Sequence, residues 1–368
     1  MRPGSAGEPL EGALLGFLRG ELGDPDLGYA ELPHRLGGGV QARVVGFRLR
    51  TQRADLSGPL ALRLFHGEDQ DEQARFEGAV QRALHELGYP AASVPFIGSE
   101  DDELGGSFLV MEQLAGRPFL DATFAIIGLC VLAGVLGLGF VVLLLIAFYL
   151  VVTLRPLLRL HALPVASFLE SLEREGISLA RVSVAGWLDV LERRSERLGL
   201  EGLRPAFDWL RAERPAEPQQ CVCHGDYHPG NLMVSRRGLT GVIDWANASV
   251  APRELELSWS LIQPRLVAQL PTGLPLVVRR GLDELMRPLT WIGGLSTRAG
   301  YRLFHRLDRP RLRYYSAFNC VRALVLLAEV RERNPWHSRR TMDLLASRFR
   351  ALSGVEVEIP EHIRDAGP

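Results

Sequence analysis

One short stretch of the chain carries the residue types that phosphoryl transfer needs. It reads His224-Gly225-Asp226-Tyr227-His228-Pro229-Gly230-Asn231, and Gly241-Val242-Ile243-Asp244-Trp245 follows on the next predicted hairpin. Phosphoryl transfer requires an oriented hydroxyl and a divalent metal ion that bridges the phosphates. Asp226 could hold the hydroxyl as the catalytic residue. Asn231 and Asp244 could offer Mg²⁺ the hard oxygen ligands that it prefers.

A simpler interpretation of the same stretch is a turn rich in aspartate and glycine between two strands, capped by Asn231. The Asp-x-x-x-x-Asn spacing, the strand-like segments on either side and the Ile-Asp-Trp sequence occur together, and this combination favours a catalytic loop. His228 precedes Pro229-Gly230, so it is either a plain turn residue or a substrate contact.

These residues resemble the aminoglycoside phosphotransferase and choline kinase-like family, whose His-Gly-Asp-x-x-x-x-Asn and Ile-Asp-Trp sequences they match. That family shares the Asp-x-x-x-x-Asn spacing of the protein-kinase catalytic loop. The resemblance extends from about Leu36 to the C-terminal helices. It implies that Asp226 is the catalytic base or hydroxyl-orienting residue, and that Asn231 and Asp244 are magnesium ligands. It also implies that His224 braces the loop and carries no proton.

The first part of the chain contains a candidate nucleotide-binding set. In the family that the chain resembles, a cation on the third strand pairs with a glutamate on a helix and holds the nucleotide phosphates. Arg63, on the predicted strand Leu60 to Phe65, and Glu77, on the next helix, stand at these positions. Lysine is commoner there, but a guanidinium can also bind phosphate in a bidentate way. The alternative for Arg63 is a strand residue that faces water. The loop over the phosphates would be Gly37, Gly38 and Gly39.

Two further segments enter through the same resemblance. Val110-Met111-Glu112-Gln113-Leu114 resembles the family's hinge, which implies that backbone groups of Met111, Glu112 and Gln113 pair with the adenine of ATP. After Ile-Asp-Trp the family usually carries Gly-Asp-Pro and then Asp-Leu, and this segment braces the catalytic loop from the following helix. Here the Gly-Asp is missing, and Glu256 stands where the second aspartate would be.

The composition narrows the classes of protein that the chain can belong to. Its 368 residues are 47% hydrophobic and 23% charged, which excludes a disordered chain and allows two lobes or two domains. The net charge is -1, so no overall basic field favours nucleic acid as a partner. No lysine occurs, so arginine must supply every cation that would bind phosphate. The arginines between Arg309 and Arg333 recur at helical spacing, which favours a helix with a solvated arginine face over a nucleic-acid site.

The four cysteines, Cys130, Cys221, Cys223 and Cys320, are too few and too scattered for a disulfide framework, which is typical of a reducing compartment. Cys221-Val222-Cys223-His224 could suggest a metal site. However, no second pair of ligands stands at zinc spacing, and the alternation fits a strand with one buried face. The sequence therefore favours a buried strand over a metal site.

The order of the predicted elements indicates an α+β fold with two lobes. The helix predicted over Leu10 to Leu22 precedes strands on either side of the glycine triplet and strands at 60–65, 94–98 and 107–111, with one main helix over Asp71 to Leu87. From Arg155 the chain is mainly helical. We expect a protein-kinase-like fold, with a small antiparallel sheet lobe and hinge over residues 1–114 and a larger helical catalytic lobe over 115–368.

Residues 122–154 form an apolar stretch without one charged side chain, inserted in the second lobe. The stretch exceeds the length of about twenty residues that a helix needs to cross a bilayer. A single crossing would separate the first lobe from the catalytic loop, and two crossings would need more residues than are present. We therefore expect a long apolar helical insertion that associates with the membrane from the cytoplasmic side without crossing it. The alternative is a buried core helix.

These observations predict an ATP- and Mg²⁺-dependent phosphotransferase that acts on a hydroxyl of a small molecule, with a lipid-linked or membrane-bound acceptor as one option. A second hypothesis is a catalytically weak nucleotide-binding scaffold that regulates a membrane partner; the arginine at position 63 and the altered segment before Glu256 motivate it. A third, an antibiotic-modifying enzyme, lacks the acidic cluster near Asp226 that cationic drugs would favour. The acceptor and the oligomeric state stay open.

Overall fold

The computed structural model describes residues 8–36, 42–66, 69–99, 104–119, 121, 150–216, 219–266, 294–329 and 339–364. Their contacts divide the chain into two compact units. The first unit takes its residues from Met1–Ala125, Ala166–Ile177 and Pro229–Ala246, and the second from Ile126–Val165, Ser178–His228 and Asn247–Pro368. Each unit is therefore assembled from several separate stretches of the sequence.

The first unit contains a five-stranded antiparallel sheet with the strand order β1-β2-β3-β5-β4. β3 lies in the middle of the sheet, between β2 and β5, so its side chains are positioned from both sides. The bounds of the strands are Gly28–Arg35 for β1, Ala42–Arg50 for β2, Leu60–Phe65 for β3, Phe96–Gly98 for β4 and Phe108–Glu112 for β5.

Side chains alternate between the two faces of the sheet along every strand. A helix covers the apolar side chains on each face. The helix Glu8–Leu22 places Leu14 and Leu18 against one face, where Leu62 and other even-numbered residues of β3 point. The helix Gln70–Glu86 covers the opposite face and packs Ala74 against Phe65. Arg63 has the same parity as Phe65, so it points toward the helix Gln70–Glu86.

A second sheet of the first unit carries the segment that leads to Asp244. It has the order β6-β8-β9, with β6 at Arg117–Pro118, β8 at Leu232–Ser235 and β9 at Gly238–Val242. The Val242 N–H donates to Pro90 O at 2.7 Å. The fully buried Trp245 packs edge-on against Tyr89, with 5.7 Å between the ring centroids. These contacts fix both ends of the segment that contains Asp244.

The second unit is mainly helical. Its two-stranded antiparallel sheet pairs β7, Cys221–Cys223, with β10, Ser249–Ala251. A π-helical turn, Leu150–Leu154, leads into the helix Arg155–His161. The helix Val165–Arg174 begins at the boundary between the units. Among the described residues, the other α-helices of the second unit are Val184–Arg197, Arg204–Ala212, Arg253–Leu266, residues 294–304, Arg309–Glu329, Arg339–Ser353 and Glu361–Arg364.

The helix Arg309–Glu329 forms the centre of the second unit's core. Phe318, Val321 and Leu324 on this helix are at most 1% exposed and pack with apolar residues of the surrounding helices, such as Leu188 and Phe207. A helix that is apolar almost all round is typical of the interior of a large core. The expectation of a solvated arginine face is therefore wrong for Arg322, which is 1% exposed, although Arg313 on the same helix is exposed.

The apolar stretch lies almost wholly outside the described residues, since only Leu150–Leu154 of 122–154 is described. In this turn Val152 and Thr153 are buried and Val151 is 65% exposed. Within the described ranges, no single helix has the length and apolar character needed to span a bilayer. One bent pair, Leu150–His161 with Val165–Arg174, meets these two criteria when it is taken together.

Candidate active site

The first unit brings Arg63 and two carboxylates together. Arg63 lies at the centre of β3, and its Nη1 atom is 2.7 Å from Oε1 of Glu77, which is completely buried on the helix Gln70–Glu86. Its Nη2 atom donates to Oδ1 of Asp244 at 3.2 Å. The side chain of Arg63 is only 12% exposed, so it is not the water-facing strand residue that the sequence left as an alternative.

The charges of Arg63, Glu77 and Asp244 influence whether this cluster can bind a cation. Burial raises the pKa of Glu77 to about 7, and the opposite charge of Arg63 works against this rise. Two carboxylates surround one guanidinium, so the cluster carries a net negative charge when both are ionised. The side chain of Asp244 is 37% exposed, so its carboxylate can bind a metal cation while it also contacts Arg63.

The backbone around Asp244 is held in an unusual conformation. Asp244 has a φ of +68°, and it is the one non-glycine residue with positive φ among the residues that the structure describes. Such a conformation costs about 1–3 kcal/mol and persists where surrounding contacts enforce it. Ile243 N–H donates to Asn231 O at 3.0 Å, which places the residue before Asp244 beside Asn231. Asn231 itself is 7% exposed. The two predicted metal ligands therefore lie on neighbouring segments.

The predicted adenine-binding segment forms the end of β5 and the residues after it. The Glu112 N–H donates to Ser93 O, and the Gln113 N–H donates to Pro59 O, both at 2.9 Å. Met111 pairs with Ala61 across the sheet. These two N–H groups already have protein acceptors, so adenine would have to use the carbonyl groups or the N–H of Leu114. Gly37, Gly38 and Gly39 lie outside the described residues.

Asp226 belongs to the second unit, where its carboxylate is held from two sides. Trp259 Nε1–H donates to Oδ1 at 2.7 Å, and His228 Nε2 lies 3.6 Å from Oδ2. Burial alone would raise the pKa of Asp226. His228, the charge of Arg322 and the Trp259 hydrogen bond together hold this pKa below its usual range. The side chain is 23% exposed, so an ionised carboxylate is available to a substrate.

The backbone before and after Asp226 is held by Glu256, which is 2% exposed on the helix Arg253–Leu266. Its carboxylate accepts hydrogen bonds from the N–H groups of His224, Gly225 and Tyr227. Burial raises the pKa of Glu256 to about 7, and these three hydrogen bonds work against that rise because they favour the ionised form. The glutamate that replaces the family's second aspartate therefore braces this loop, as the resemblance implied for the segment.

His224 is completely buried, and its Nδ1 accepts a hydrogen bond from the Asp226 N–H at 3.2 Å. Its ring stands edge-on to the Tyr227 ring, with 6.0 Å between the centroids. These contacts agree with the structural role that the sequence implied for His224.

Arg322 is a charged residue that the sequence interpretation missed. Its guanidinium lies 4.0 Å from the ring centroid of Trp259 and 4.7 Å from that of Trp187, and its Nη1 atom donates to Gly225 O. Burial lowers the pKa of Arg322 to about 10, so it stays charged at neutral pH. One signal could have revealed it, because Arg322 is the single charge in the otherwise uncharged run from Ser316 to Ala328.

Comparison with known proteins links this chain to enzymes that transfer phosphoryl groups. The family model described as "Phosphotransferase enzyme family" matches residues 35–285. A candidate aminoglycoside phosphotransferase from Ralstonia eutropha JMP134 is 17% identical, with a TM-score of 0.54 over 93% of this chain and 95% of that one.

Two structures of the aminoglycoside phosphotransferase APH(4)-Ia give similar results. The first is 13% identical, with a TM-score of 0.54 over 93% of this chain and 98% of that one. The second is a thermostable mutant that carries one additional substitution and is in ternary complex with AMP-PNP and hygromycin B. It is 13% identical, with a TM-score of 0.51 over the same shares of the two chains. At these identities the structural likenesses show the fold.

Proposed function

Because this chain belongs to the phosphotransferase enzyme family, we propose that it transfers the γ-phosphoryl group of ATP to a hydroxyl group of a small molecule. The observation that carries the proposal is the state of Asp226. Its side chain is 23% exposed and is oriented by Trp259 and His228, which also help to hold its pKa below the usual range. Such a carboxylate can accept a hydrogen bond from the hydroxyl of the phosphate acceptor. It can thereby orient the hydroxyl oxygen toward a phosphorus atom.

In the proposed step the hydroxyl oxygen of the acceptor forms a bond to the γ-phosphorus, and the bond from that phosphorus to the β,γ-bridging oxygen breaks. ADP leaves, and the hydroxyl proton passes to Asp226. The transition state of phosphoryl transfer is loose, so little proton transfer is needed before it is reached. The low pKa of Asp226 therefore suits a residue whose main role is to orient the hydroxyl.

Mg²⁺ fits the oxygen donors of the first unit. Asn231 and Asp244 offer an amide and a carboxylate oxygen, and the cluster around Arg63 carries a net negative charge that favours a cation when Glu77 and Asp244 are both ionised. When bound, the metal would neutralise charge on the nucleotide phosphates. Arg63 would contact a phosphate oxygen with its guanidinium while Glu77 holds it in place. ATP as the donor is further supported by the AMP-PNP in the APH(4)-Ia complex.

The acceptor is proposed only as a class. APH(4)-Ia was crystallised with hygromycin B, a small molecule, and the fold is shared with it. The apolar stretch at 122–154 adds the option of a lipid-linked or membrane-bound alcohol. We propose a small hydroxyl compound, and we expect the acceptor site on the side of Asp226 that Trp259 and His228 leave exposed.

The test is a coupled assay of acceptor-dependent ADP release, run with Mg·ATP across sugars, amino alcohols, simple alcohols and lipids, with mass spectrometry of the product. Asp226→Asn should keep the fold and nucleotide binding but lower kcat by roughly two or more orders of magnitude. Asp244→Ala should instead weaken metal-dependent nucleotide binding. A calorimetric titration with and without Mg²⁺ separates the two effects.

Asp189→Asn is the matched control, because Asp189 is an exposed carboxylate of the second unit that pairs with Arg211 at the surface. It should act like the parent. Equal turnover by Asp226→Asn and the parent would show that the assignment is wrong. Tight Mg·ATP binding without phosphorylation of any acceptor would favour the nucleotide-binding scaffold instead.

A further inference from the structure

Three soft or borderline metal ligands meet in the second unit, and none of them is a residue assigned to phosphoryl transfer. Cys221 and Cys223 stand two residues apart on β7, so their side chains point to the same face of the strand. His161, in the last turn of the helix Arg155–His161, faces them. The ligand atoms of the three residues all lie within 4.8 Å of one another. No sequence spacing indicates this set, because His161 is sixty residues before Cys221.

The distance between the two sulfur atoms fits a shared cation. The Sγ atoms of Cys221 and Cys223 are 3.8 Å apart. Two thiolates that bind one zinc ion tetrahedrally at ~2.3 Å each lie about 3.8 Å apart, whereas a disulfide requires ~2.05 Å. The strand therefore holds the thiols at the separation of a chelate and not of a covalent bond. Both residues are at most 2% exposed.

The imidazole of His161 is arranged as a metal-binding histidine usually is. Its Nδ1 is 2.7 Å from the Tyr301 hydroxyl, and its Nε2 is buried without a hydrogen-bond partner. A ligating histidine typically donates its other ring N–H to a protein oxygen, and this bond fixes the tautomer and the orientation of the ring. A buried nitrogen without a partner is unfavourable, and a cation bound at Nε2 would remove this cost.

We propose that His161 Nε2, Cys221 Sγ and Cys223 Sγ form a binding site for a thiophilic cation, with Zn²⁺ as the probe ion. Two thiolates and an imidazole are ligands that Zn²⁺ prefers, and three protein ligands leave one position for another donor. Binding exchanges two thiol protons for one Zn²⁺. The cation ties the end of the helix Arg155–His161 to β7, the strand that leads directly into His224 and Asp226.

The simplest alternative is that the two thiols are small buried side chains that donate weakly to Ala251 O, at 3.4 and 3.7 Å. The full-length protein, produced in zinc-supplemented medium and purified under a phosphine reductant, distinguishes the two. Elemental analysis should find about one Zn²⁺ per chain, and X-ray absorption at the zinc edge should show two sulfur neighbours at ~2.3 Å and an imidazole nitrogen. This measurement needs no variant. A parent protein without zinc, or zinc with no sulfur neighbours, would overturn the proposal.

Variants then test the ligands one at a time. Cys221→Ser, Cys223→Ser and His161→Gln should each weaken Zn²⁺ binding by at least roughly tenfold, and Tyr301→Phe should weaken it by about tenfold by releasing the ring. Cys320→Ser is the matched control, because Cys320 is equally buried but stands outside the cluster, and it should bind as the parent does. Loss of binding only in Cys320→Ser would place the cation elsewhere and refute the site. A copper(I) titration in competition with Zn²⁺ identifies which thiophilic ion the site favours.

Discussion

Arg63 is fixed by two carboxylates, so its guanidinium is positioned before any nucleotide binds. We predict that Arg63→Met raises KM for ATP by roughly 10- to 100-fold, because hydrogen bonds to charged groups contribute about 1.5–3 kcal/mol. Arg63→Lys should keep partial activity, since a point charge still reaches the phosphates. The measurement is KM for ATP on variants whose circular dichroism matches the parent. Arg53→Met, which removes an exposed arginine paired with Asp55, is the control, and equal KM values for both methionine variants would contradict the assignment.

Arg322 carries its charge in the interior, sandwiched between Trp187 and Trp259. We predict that Arg322→Met lowers the free energy of unfolding by about 3–5 kcal/mol, because it removes the cation beside the buried carboxylate of Glu256 and the partly buried carboxylate of Asp226. It should also raise the pKa of Asp226, which NMR of the labelled carboxyl would measure.

The matched control is Arg313→Met, on the same helix, where the side chain is exposed and donates to Leu352 O. Its effect in urea denaturation should stay below about 1 kcal/mol. If the two variants lose the same stability, Arg322 does not act through its buried charge.

At the scale of elements, the turn after β7 requires a glycine for two reasons. Gly225 has a φ of +79°, and a Cβ there would lie 2.0 Å from Asn247 O. We predict that Gly225→Ala lowers the free energy of unfolding by more than the ~1–2 kcal/mol that a left-handed backbone conformation costs an alanine. The additional loss is expected because the main chain before β10 must also move. Gly199→Ala is the control, with a φ of +68° and open space around the Cβ position. The midpoint of thermal unfolding of Gly225→Ala should be well below that of Gly199→Ala. Equal midpoints would contradict the close approach of Gly225 to Asn247.

The elements themselves were predictable to different degrees. β3 begins and ends where the sequence predicts, and the strand predicted around Cys221 and Cys223 is found at Cys221–Cys223, because apolar residues and turn residues mark both strands locally. The helix predicted over Asp71 to Leu87 is found at Gln70–Glu86. The loop residues Asp226, Asn231 and Asp244 could be singled out, since their types and spacing lie within one short stretch.

The partners of those residues could not be predicted in the same way. Trp259 and Arg322 contact Asp226 or its loop across 33 and 97 residues of sequence, and such contacts depend on how helices pack. Nothing in local periodicity indicates which tryptophan will face a carboxylate. The same holds for His161 beside β7, where the sequence favoured a buried strand and gave no third ligand.

At the scale of the whole molecule, the protein-kinase-like α+β fold with a small antiparallel sheet and a helical part is confirmed by the family and by the shared fold. The resemblance of a few motif residues was sufficient for this, since the fold positions those residues. The apolar insertion at 122–154 stays a prediction, as does its association with a membrane.

The short link between Asp226 and Asn231 limits how the chain could cross a membrane. Asp226, in the second unit, is five residues before Asn231, in the first unit. Five extended residues span at most about 18 Å, which is less than the ~30 Å core of a bilayer. We therefore predict that cysteines introduced at Asp55 and at Asp189 label from the same side of sealed vesicles. Labelling from opposite sides would contradict the fold.

The membrane attachment itself needs a separate measurement. We expect the protein in the membrane fraction after a high-salt wash, because anchoring through buried apolar area is not screened by ions. A purely electrostatic attachment would be released by that wash. Recovery of a monomer without detergent would favour the buried core helix for the apolar stretch.

The arginine at the centre of β3 also decides which reagents can detect this protein in a mixture. Nucleotide probes with acyl phosphate or aldehyde groups trap kinases by reacting with the amine of a phosphate-binding lysine. A guanidinium remains protonated and is a poor nucleophile under the same conditions. This chain contains no lysine at all, so no neighbouring side-chain amine can react instead. Such probes would therefore leave this enzyme unlabelled even when it is active. A column of immobilised ATP with Mg²⁺ should retain it, because this method does not depend on a lysine.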